Sequence, residues 1–336
     1  MTITAHDDRE KAILQWLSND LQLNITQFQP ASSDASFRRY YRVVHEQQSY
    51  IVMDAPPEKE DTGPFIKVAQ LFKQAQVNVP QIVQQNTQQG FLLLEDFGSE
   101  CLLDCLNASS ANNLYTDALN SLLQLQNNVA TQDADLPHYD VALLNTELQL
   151  FTDWFLAQQC QYQLSTTELN MLQNSYQLLI DSALQQSQVC VHRDYHSRNL
   201  MYFPANNPGI IDFQDAVIGP VTYDAVSLLR DCYISWPDNV IDQHRLAYYQ
   251  QLKQADIISC TYPQFCRDFD LMGIQRHLKA IGIFSRLNIR DAKPAYLNDI
   301  PRTLNYVIQV SQQYLELQEF SQFLIATILP ISRQKL

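Results

Sequence analysis

Apolar residues at Ile13, Leu14, Leu17 and Leu21 carry the three-to-four spacing of an amphipathic helix over residues 7–22. The period then changes. Residues 37–44 (FRRYYRVV) and 49–53 (SYIVM) are aromatic and β-branched, and they predict two strands joined around His45–Gln48. Pro56 and Pro57 break that pattern. Helical spacing returns over 62–76, with Phe65, Val68, Ala69 and Phe72 on one face. A second strand pair is expected at 81–85 and 90–95, turning near Gly90. Glu95, Asp96 and Gly98 then read as a short connector. Beyond it, residues 111–129, 146–161, 166–187, 220–234, 238–255, 263–287 and 302–316 all show helical periodicity. Short apolar runs at Val189–Val191, Leu200–Phe203 and Gly209–Phe213 interrupt them. The expected class is α+β and bilobal. A small β-rich N-lobe occupies residues 1–96, and a larger helical C-lobe occupies 97–336.

Composition narrows the function. A chain of 336 residues with 46% hydrophobic residues supports about two lobes with a sizeable core. Its 22 Lys+Arg against 36 Asp+Glu give a formal charge of −14, which argues against a nucleic-acid partner or a polybasic membrane anchor. Basic residues gather instead at 38–42 and 276–302. Only 7 glycines are present, all far apart, so neither a Walker A loop nor G-x-G-x-x-G can be drawn. The 7 cysteines are scattered without a C-x-x-C pair, which reads as reduced thiols in a cytoplasmic protein. No apolar run reaches the ~18 residues of a membrane span. No obligate protein partner is evident.

The chemistry concentrates in VHRDYHSRNLMYF followed by PGIIDFQDA. Its skeleton is His192-x-Asp194-x-x-x-x-Asn199, then apolar strands, then Asp212. Phosphoryl transfer from ATP needs a carboxylate to orient the acceptor hydroxyl and relieve it of its proton, and Asp194 is placed for that. It also needs Mg²⁺, a hard cation that takes oxygen ligands; the Asn199 amide and the Asp212 carboxylate fit.

These residues make the segment resemble the catalytic core of the aminoglycoside phosphotransferase and choline kinase superfamily, which implies a protein-kinase-like fold. FLLLEDFG (91–98) is similar to that family's hinge, which implies nucleotide contacts near Glu95 and Phe97. GPVTYDAVSLLRD (219–231) resembles the helix after the metal-binding Asp. There Asp224 is expected to brace the catalytic loop by hydrogen bonds. A narrower resemblance runs through SSDASFRRYYRV, YIVMDAPPEKED and QRHLKAIGIFSRLNIRDAKPAYLNDIPRTLNYV. These look like the anomeric amino-sugar kinase branch. That resemblance implies ATP- and Mg²⁺-dependent phosphorylation of the C1 hydroxyl of N-acetylmuramate or N-acetylglucosamine, in cell-wall recycling. Two rival readings stand beside it. One is an aminoglycoside, choline or other small-alcohol kinase of the same fold; the other is an inactive nucleotide-binding scaffold.

The chain departs from the kinase pattern in one respect. The usual strand lysine is missing from YIVMDAPP, where Asp54 or a close neighbour takes its place. Asp54 either pairs with Lys67 in a charge-swapped strand–helix link or starts a turn before Pro56. The phosphates then need other partners. Arg38, Arg39 and Arg42 are candidates, although adjacent strand residues face opposite sides, so Arg38 and Arg39 cannot both point at the nucleotide. Ser33 and Ser36 in SSDASF either bind phosphate or form an ordinary polar turn. His192 is expected to pack and Arg193 to ion-pair within the scaffold. His196, Asp215, Arg230 and Arg276 are candidate substrate contacts, with Arg286 and Arg290 as further cations. Gln275, Arg276 and Lys279 share helical neighbour spacing, which predicts a common face.

Overall fold

The computed structural model describes residues 6–33 and 37–336, with nothing stated of the side chains of 32 and 33. Helix α1 (Asp8–Gln15) begins at Asp7, whose carboxylate accepts the Glu10 N–H at 2.8 Å and so caps the first turn. It continues through a π-turn, Trp16–Asp20. Strands β1 (Ile25–Ser33), β2 (Arg39–His45) and β3 (Gln48–Asp54) follow, then α2 (Gly63–Gln74), β4 (Ile82–Asn86) and β5 (Phe91–Glu95). The five strands form one antiparallel sheet in the order β1-β2-β3-β5-β4. β1 was not expected from the pattern. It is an edge strand that tolerates Pro30 and carries register shifts on both sides of its centre.

Alternation along the sheet divides the small lobe. Tyr41, Val43, Val52, Phe91 and Leu93 point to one face and pack with Ile13, Trp16 and Leu17 of the first helical segment. Met53, Leu92 and Leu94 point to the other face and join the core that runs on into the helical lobe.

That lobe holds α3 (Leu102–Cys105), α4 (Ala111–Asn128) and α5 (Val141–Leu150), the last continued by a π-turn segment, Phe151–Gln159. α6 (Thr166–Gln185) starts at a capping box in which Ser165 N–H donates to Glu168 at 2.8 Å. Strands β6 (Gln188–Val191), β7 (Leu200–Met201), β8 (Gly209–Ile210) and β9 (Val217–Pro220) form two small hairpin-like pairs, β6 with β9 and β7 with β8. Helices α7 (Tyr223–Leu229), α8 (Asp238–Gln254), α9 (Tyr262–Asp291), α10 (Ile300–Ser311), α11 (Gln318–Phe323) and α12 (Leu329–Lys335) complete the chain. Residues 220–234, expected to be one helix, divide into the end of β9, α7, and a turn beyond Leu229. The Asp231 carboxylate accepts the Tyr233 N–H at 2.9 Å and draws the chain out of the helix.

Scarce glycine leaves a mark on the backbone. Glu46 and Gln47 turn the β2–β3 hairpin at φ 49° and 69°, and Gln76 leaves α2 at φ 64°, all in the left-handed region that glycine occupies without strain. Gly282 has the opposite role. A Cβ there would lie 2.5 Å from the Leu150 carbonyl oxygen, so α9 touches the backbone at the end of α5. Two substitutions should therefore move stability in opposite directions. Gln76→Gly, exposed and at a helix C-terminus, should stabilise by about 1 kcal/mol. Gly282→Ala should destabilise by about 1–3 kcal/mol through overpacking. Denaturant midpoints measure both, and a stabilising Gly282→Ala would refute the close crossing.

Candidate active site

The segment 192–199 leaves β6 and crosses to β7 with no ladder of its own, so its N–H groups need other acceptors. Asp224, in the first turn of α7, takes two of them: His192 N–H at 2.7 Å and Arg193 N–H at 3.0 Å. Asp231, just past the end of α7, accepts Ser197 N–H at 2.9 Å and its Oγ–H at 2.6 Å. The bracing role expected of Asp224 is thus observed, and Asp231 shares it. His192 is fully buried. Its Nε2 lies 3.0 Å from the Ile211 carbonyl, and its Nδ1 accepts the Asp194 N–H at 3.2 Å. The ring packs and bridges, as expected.

The loop and the β8 exit bring Asp194, Asn199 and Asp212 together. Asn199 Nδ2 donates to the Asp194 carbonyl at 3.1 Å and to Asp212 Oδ2 at 3.2 Å. With the amide nitrogen so used, Oδ1 is the end suited to a cation. Asp212 Oδ1 also accepts from Gln214 at 2.8 Å. Arg193 and Asp212 sit at φ 77° and 63°, a strained conformation for either residue, and both positions lie at the site.

A cleft of about 620 Å³ opens between the sheet and this loop, lined by Tyr40, Arg42, Ile51, Leu94, Glu95 and Phe97 on one side and Arg198, Asn199 and Asp212 on the other. Glu95, Phe97, Asn199 and Asp212 are therefore gathered as expected. The arginines are arranged differently. Arg39 shares the α1-side face with Tyr41 and pairs with Asp54 at 2.8 Å and with Asp7, so it does not reach the cleft. Arg38 pairs with Glu60 at 3.2 Å and is not among the cleft-lining residues. Arg42, two residues along the strand from Tyr40, lines the cleft while holding Asp96 at 2.6 Å. Ser36 and the Ser33 side chain lie outside the described residues. The Asp54–Lys67 link does not form. Asp54 binds Arg9 and Arg39 on the far face of the sheet, while Lys67 binds Asp135 at 2.6 Å. On the cleft side of the sheet β3 carries Ile51 and Met53 instead.

Beside Asp194 lies a second, smaller pocket of about 90 Å³, lined by His196, Tyr223, Cys232, Tyr233, Arg276, Lys279, Ala280, Ile283 and Phe284. His196 and Arg276 are brought there as expected. Arg230 is not; it pairs with Asp238 at 2.8 Å and stacks on Tyr306. Asp215 is exposed and lines neither cavity. Arg290 pairs with its neighbour Asp291 at 2.7 Å.

Residues 27–257 match the model of the phosphotransferase enzyme family. The chain belongs to that family. It is 43% identical over 330 residues to an N-acetylmuramate/N-acetylglucosamine kinase of Pseudomonas putida, covering 95% of this chain and 96% of the relative. A kinase of the same name from Pseudomonas aeruginosa is 46% identical over 88% of this chain and 87% of its own. In fold it is similar to an ADP-bound aminoglycoside phosphotransferase (TM-score 0.59, 16% identity, 89% of this chain, 98% of the other). It is likewise similar to a choline kinase of Streptococcus pneumoniae (TM-score 0.60, 14% identity, 90% of this chain, 100% of the other). The protein is a kinase-like phosphotransferase of α+β architecture, and no helix among its described residues is long and apolar enough to cross a membrane.

The electrostatics of this phosphotransferase depend on residues the sequence pattern did not single out. Glu147, buried on α5, binds Arg193 at 2.5 Å and Lys279 at 2.9 Å, and it accepts the Tyr139 hydroxyl and Gln275 at 3.2 Å. Burial opposes its ionisation, but Lys279 and Arg193 outweigh burial and hold its carboxyl below the usual range. Lys279 also donates to the Tyr223 hydroxyl at 3.0 Å. Gln275, Arg276 and Lys279 do cluster as their spacing predicts, but Gln275 serves Glu147 and only the other two line the pocket. For Asp194, burial again opposes ionisation; Lys279, His196, His192 and Arg193 prevail and hold it below the ordinary carboxylate range. Burial pushes Asp224 up to about 7, against the two backbone donors that favour its charged form.

Burial lowers His192 from 6.5 to about 4. Between those values the unfolded chain takes up a proton that the native ring refuses. The stability this histidine contributes is therefore complete above pH 6.5 and falls by roughly 3 kcal/mol as pH drops to about 4. Asp224 acts with the opposite sign, its contribution being lost as pH rises through about 7. Global unfolding reads only the sum, so the ring itself should be followed. NMR titration of His192 should give a midpoint near 4, and a midpoint at or above 6.5 would rule out the neutral bridging ring.

Proposed function

We propose that this phosphotransferase is an ATP- and Mg²⁺-dependent kinase that phosphorylates the anomeric hydroxyl of N-acetylmuramate or N-acetylglucosamine. The observation that carries the substrate class is the 43% identity to a kinase of that name over 95% of this chain and 96% of the relative. The geometry supports the reaction class. Asp194 lines the smaller cavity with Arg276 and Lys279, and Asn199, which hydrogen-bonds its carbonyl at 3.1 Å, lines the larger with Asp212. The larger cavity suits the nucleotide, and the smaller, beside Asp194, suits a substituent of the acceptor. This division follows residues 1–96 and 97–336 as lobes, the nucleotide lying between them.

Asn199 and Asp212 are the hard oxygen donors for Mg²⁺, and the phosphates supply further oxygens. When bound, the cation neutralises charge on the phosphates. Arg198, stacked 3.7 Å from the Tyr233 ring and lining the cleft, is the cation proposed to meet the phosphates in place of the strand lysine. Asp194 is ionised at neutral pH, so it accepts a hydrogen bond from the acceptor hydroxyl and aims its oxygen at phosphorus. Its lowered pKa makes it a weak base, which suits a loose transition state in which the proton leaves late.

The test is direct. Asp194→Ala and Asp212→Ala should each lower kcat by at least about 10³-fold while leaving circular dichroism and melting profiles native-like. The product should be a sugar 1-phosphate, identified by ³¹P NMR. Full turnover in either variant would overturn the assignment. A wild-type protein that turns over none of the amino sugars would favour the inactive scaffold.

A further inference from the structure

The small pocket beside Asp194 holds an unsettled polar group. Arg276 is 6% exposed, its Nε has no hydrogen-bond partner, and its Nη1 reaches the Cys232 sulfur at 3.7 Å. A buried guanidinium left this way loses hydration without full return, so a ligand oxygen is the expected partner. In the same pocket the His196 Nδ1 is also buried and without a partner. The remaining wall includes Ala280, Ile283 and Phe284.

Charge indicates what kind of oxygen this is. Lys279, the other cation lining the pocket, is already bound to Glu147 at 2.9 Å. Arg276 lies in the fields of Asp231 and Asp194. The cluster is close to balanced, so a neutral acceptor satisfies Arg276 without adding an unpaired buried charge. Size gives a second constraint. At about 90 Å³ against about 620 Å³ for the cleft, the pocket is on the scale of a substituent of the sugar.

We propose that this pocket takes the 2-acetamido group of the sugar: Arg276 donates to its carbonyl oxygen, the His196 ring nitrogen takes its N–H, and Ala280, Ile283 and Phe284 cover its methyl. The assignment rests on the acceptor reading above. It follows from the position of Asp194, because the substituent on carbon 2 is vicinal to the hydroxyl on carbon 1 that Asp194 addresses. A carboxylate carried on carbon 3 lies one carbon further from that hydroxyl. The pocket therefore makes the acetamido group, present in both sugars, the determinant of specificity.

The experiment compares kcat/KM for N-acetylglucosamine, N-propionylglucosamine, glucosamine, glucose and N-acetylmuramate in wild type, Arg276→Met, Ala280→Val and Ala280→Gly. Binding of the same sugars beside a non-hydrolysable ATP analogue is measured in parallel. Wild type should prefer N-acetylglucosamine to glucose by roughly 100-fold or more. Arg276→Met should shrink that ratio by at least about tenfold, and should affect N-acetylmuramate and N-acetylglucosamine alike. Ala280→Val should lower the N-propionyl to N-acetyl ratio and Ala280→Gly should raise it, at a position where neither change removes a polar group. If Arg276→Met impairs only N-acetylmuramate, the pocket binds the carboxylate and the proposal fails. If wild type phosphorylates N-acetylglucosamine yet all the ratios stay fixed across the variants, the pocket assignment falls and the kinase reading stands. If wild type neither binds nor phosphorylates an acetamido sugar, both fall.

Discussion

A stretch of backbone without secondary structure, set inside a protein, must find acceptors for its N–H groups, and the site of this phosphotransferase is organised around that requirement. Each such group left unmet costs about 1–3 kcal/mol. Two carboxylates seven residues apart, Asp224 and Asp231, meet the need at both ends of one short helix. Asp224 lies in the first turn of α7, where the helix dipole favours a negative charge. The loop is therefore held from beneath by an element that itself contributes no group to the larger cleft. Asp194 and Asn199 inherit their positions from it. The penalty falls on Asp224, whose complete burial raises its pKa in spite of two good donors.

Above this scaffold a buried ion cluster sets the charge around the smaller pocket. Glu147 joins three elements: its own α5, the loop through Arg193, and α9 through Lys279. Pairing with one carboxylate lets two cations lie close together in a region of low dielectric, where either alone would be costly. Lys279 in turn is the leading influence that keeps Asp194 ionised against burial. In this way a residue on α5 that lines neither cavity bears, through Lys279, on the ionisation of Asp194 in the smaller pocket.

The sequence made some of this legible and hid the rest, for physical reasons. Asp194, Asn199 and Asp212 are set by local spacing in one loop and two short strands, and local spacing survives translation into three dimensions. Asp224 was readable through resemblance, from its place in a segment similar to the helix that follows the family's metal-binding Asp. Glu147 was not, because a single Glu within a helical period reads as solvent-facing until the helices packed over it are known. The pairing of Arg39 with Asp54 was hidden by parity. A one-residue shift in register moves a side chain to the other face of the sheet, and no register can be read from one strand alone. β1 escaped notice because Pro30 and a run of serines look like a loop, a pattern that an edge strand accommodates.

Parity also explains how the fold does without its strand lysine. At the end of β3 the inward position is Met53, which packs into the core shared by the two lobes, and the charged residue next to it points outward. A strand-to-helix ion pair on the cleft side is thus unavailable, and α2 is tied instead to the helical lobe, through Lys67 and Asp135. The ionic link that this strand does make runs the other way. Asp54, wholly buried, gathers Arg9 from α1 and Arg39 from β2, and Arg39 reaches on to Asp7, the cap of α1. The same carboxylate that begins the first helix therefore fastens it to the sheet. Charge at this position serves the assembly of the small lobe, and the cations facing the cleft come from elsewhere: Arg42 on the neighbouring strand and Arg198 in the catalytic loop.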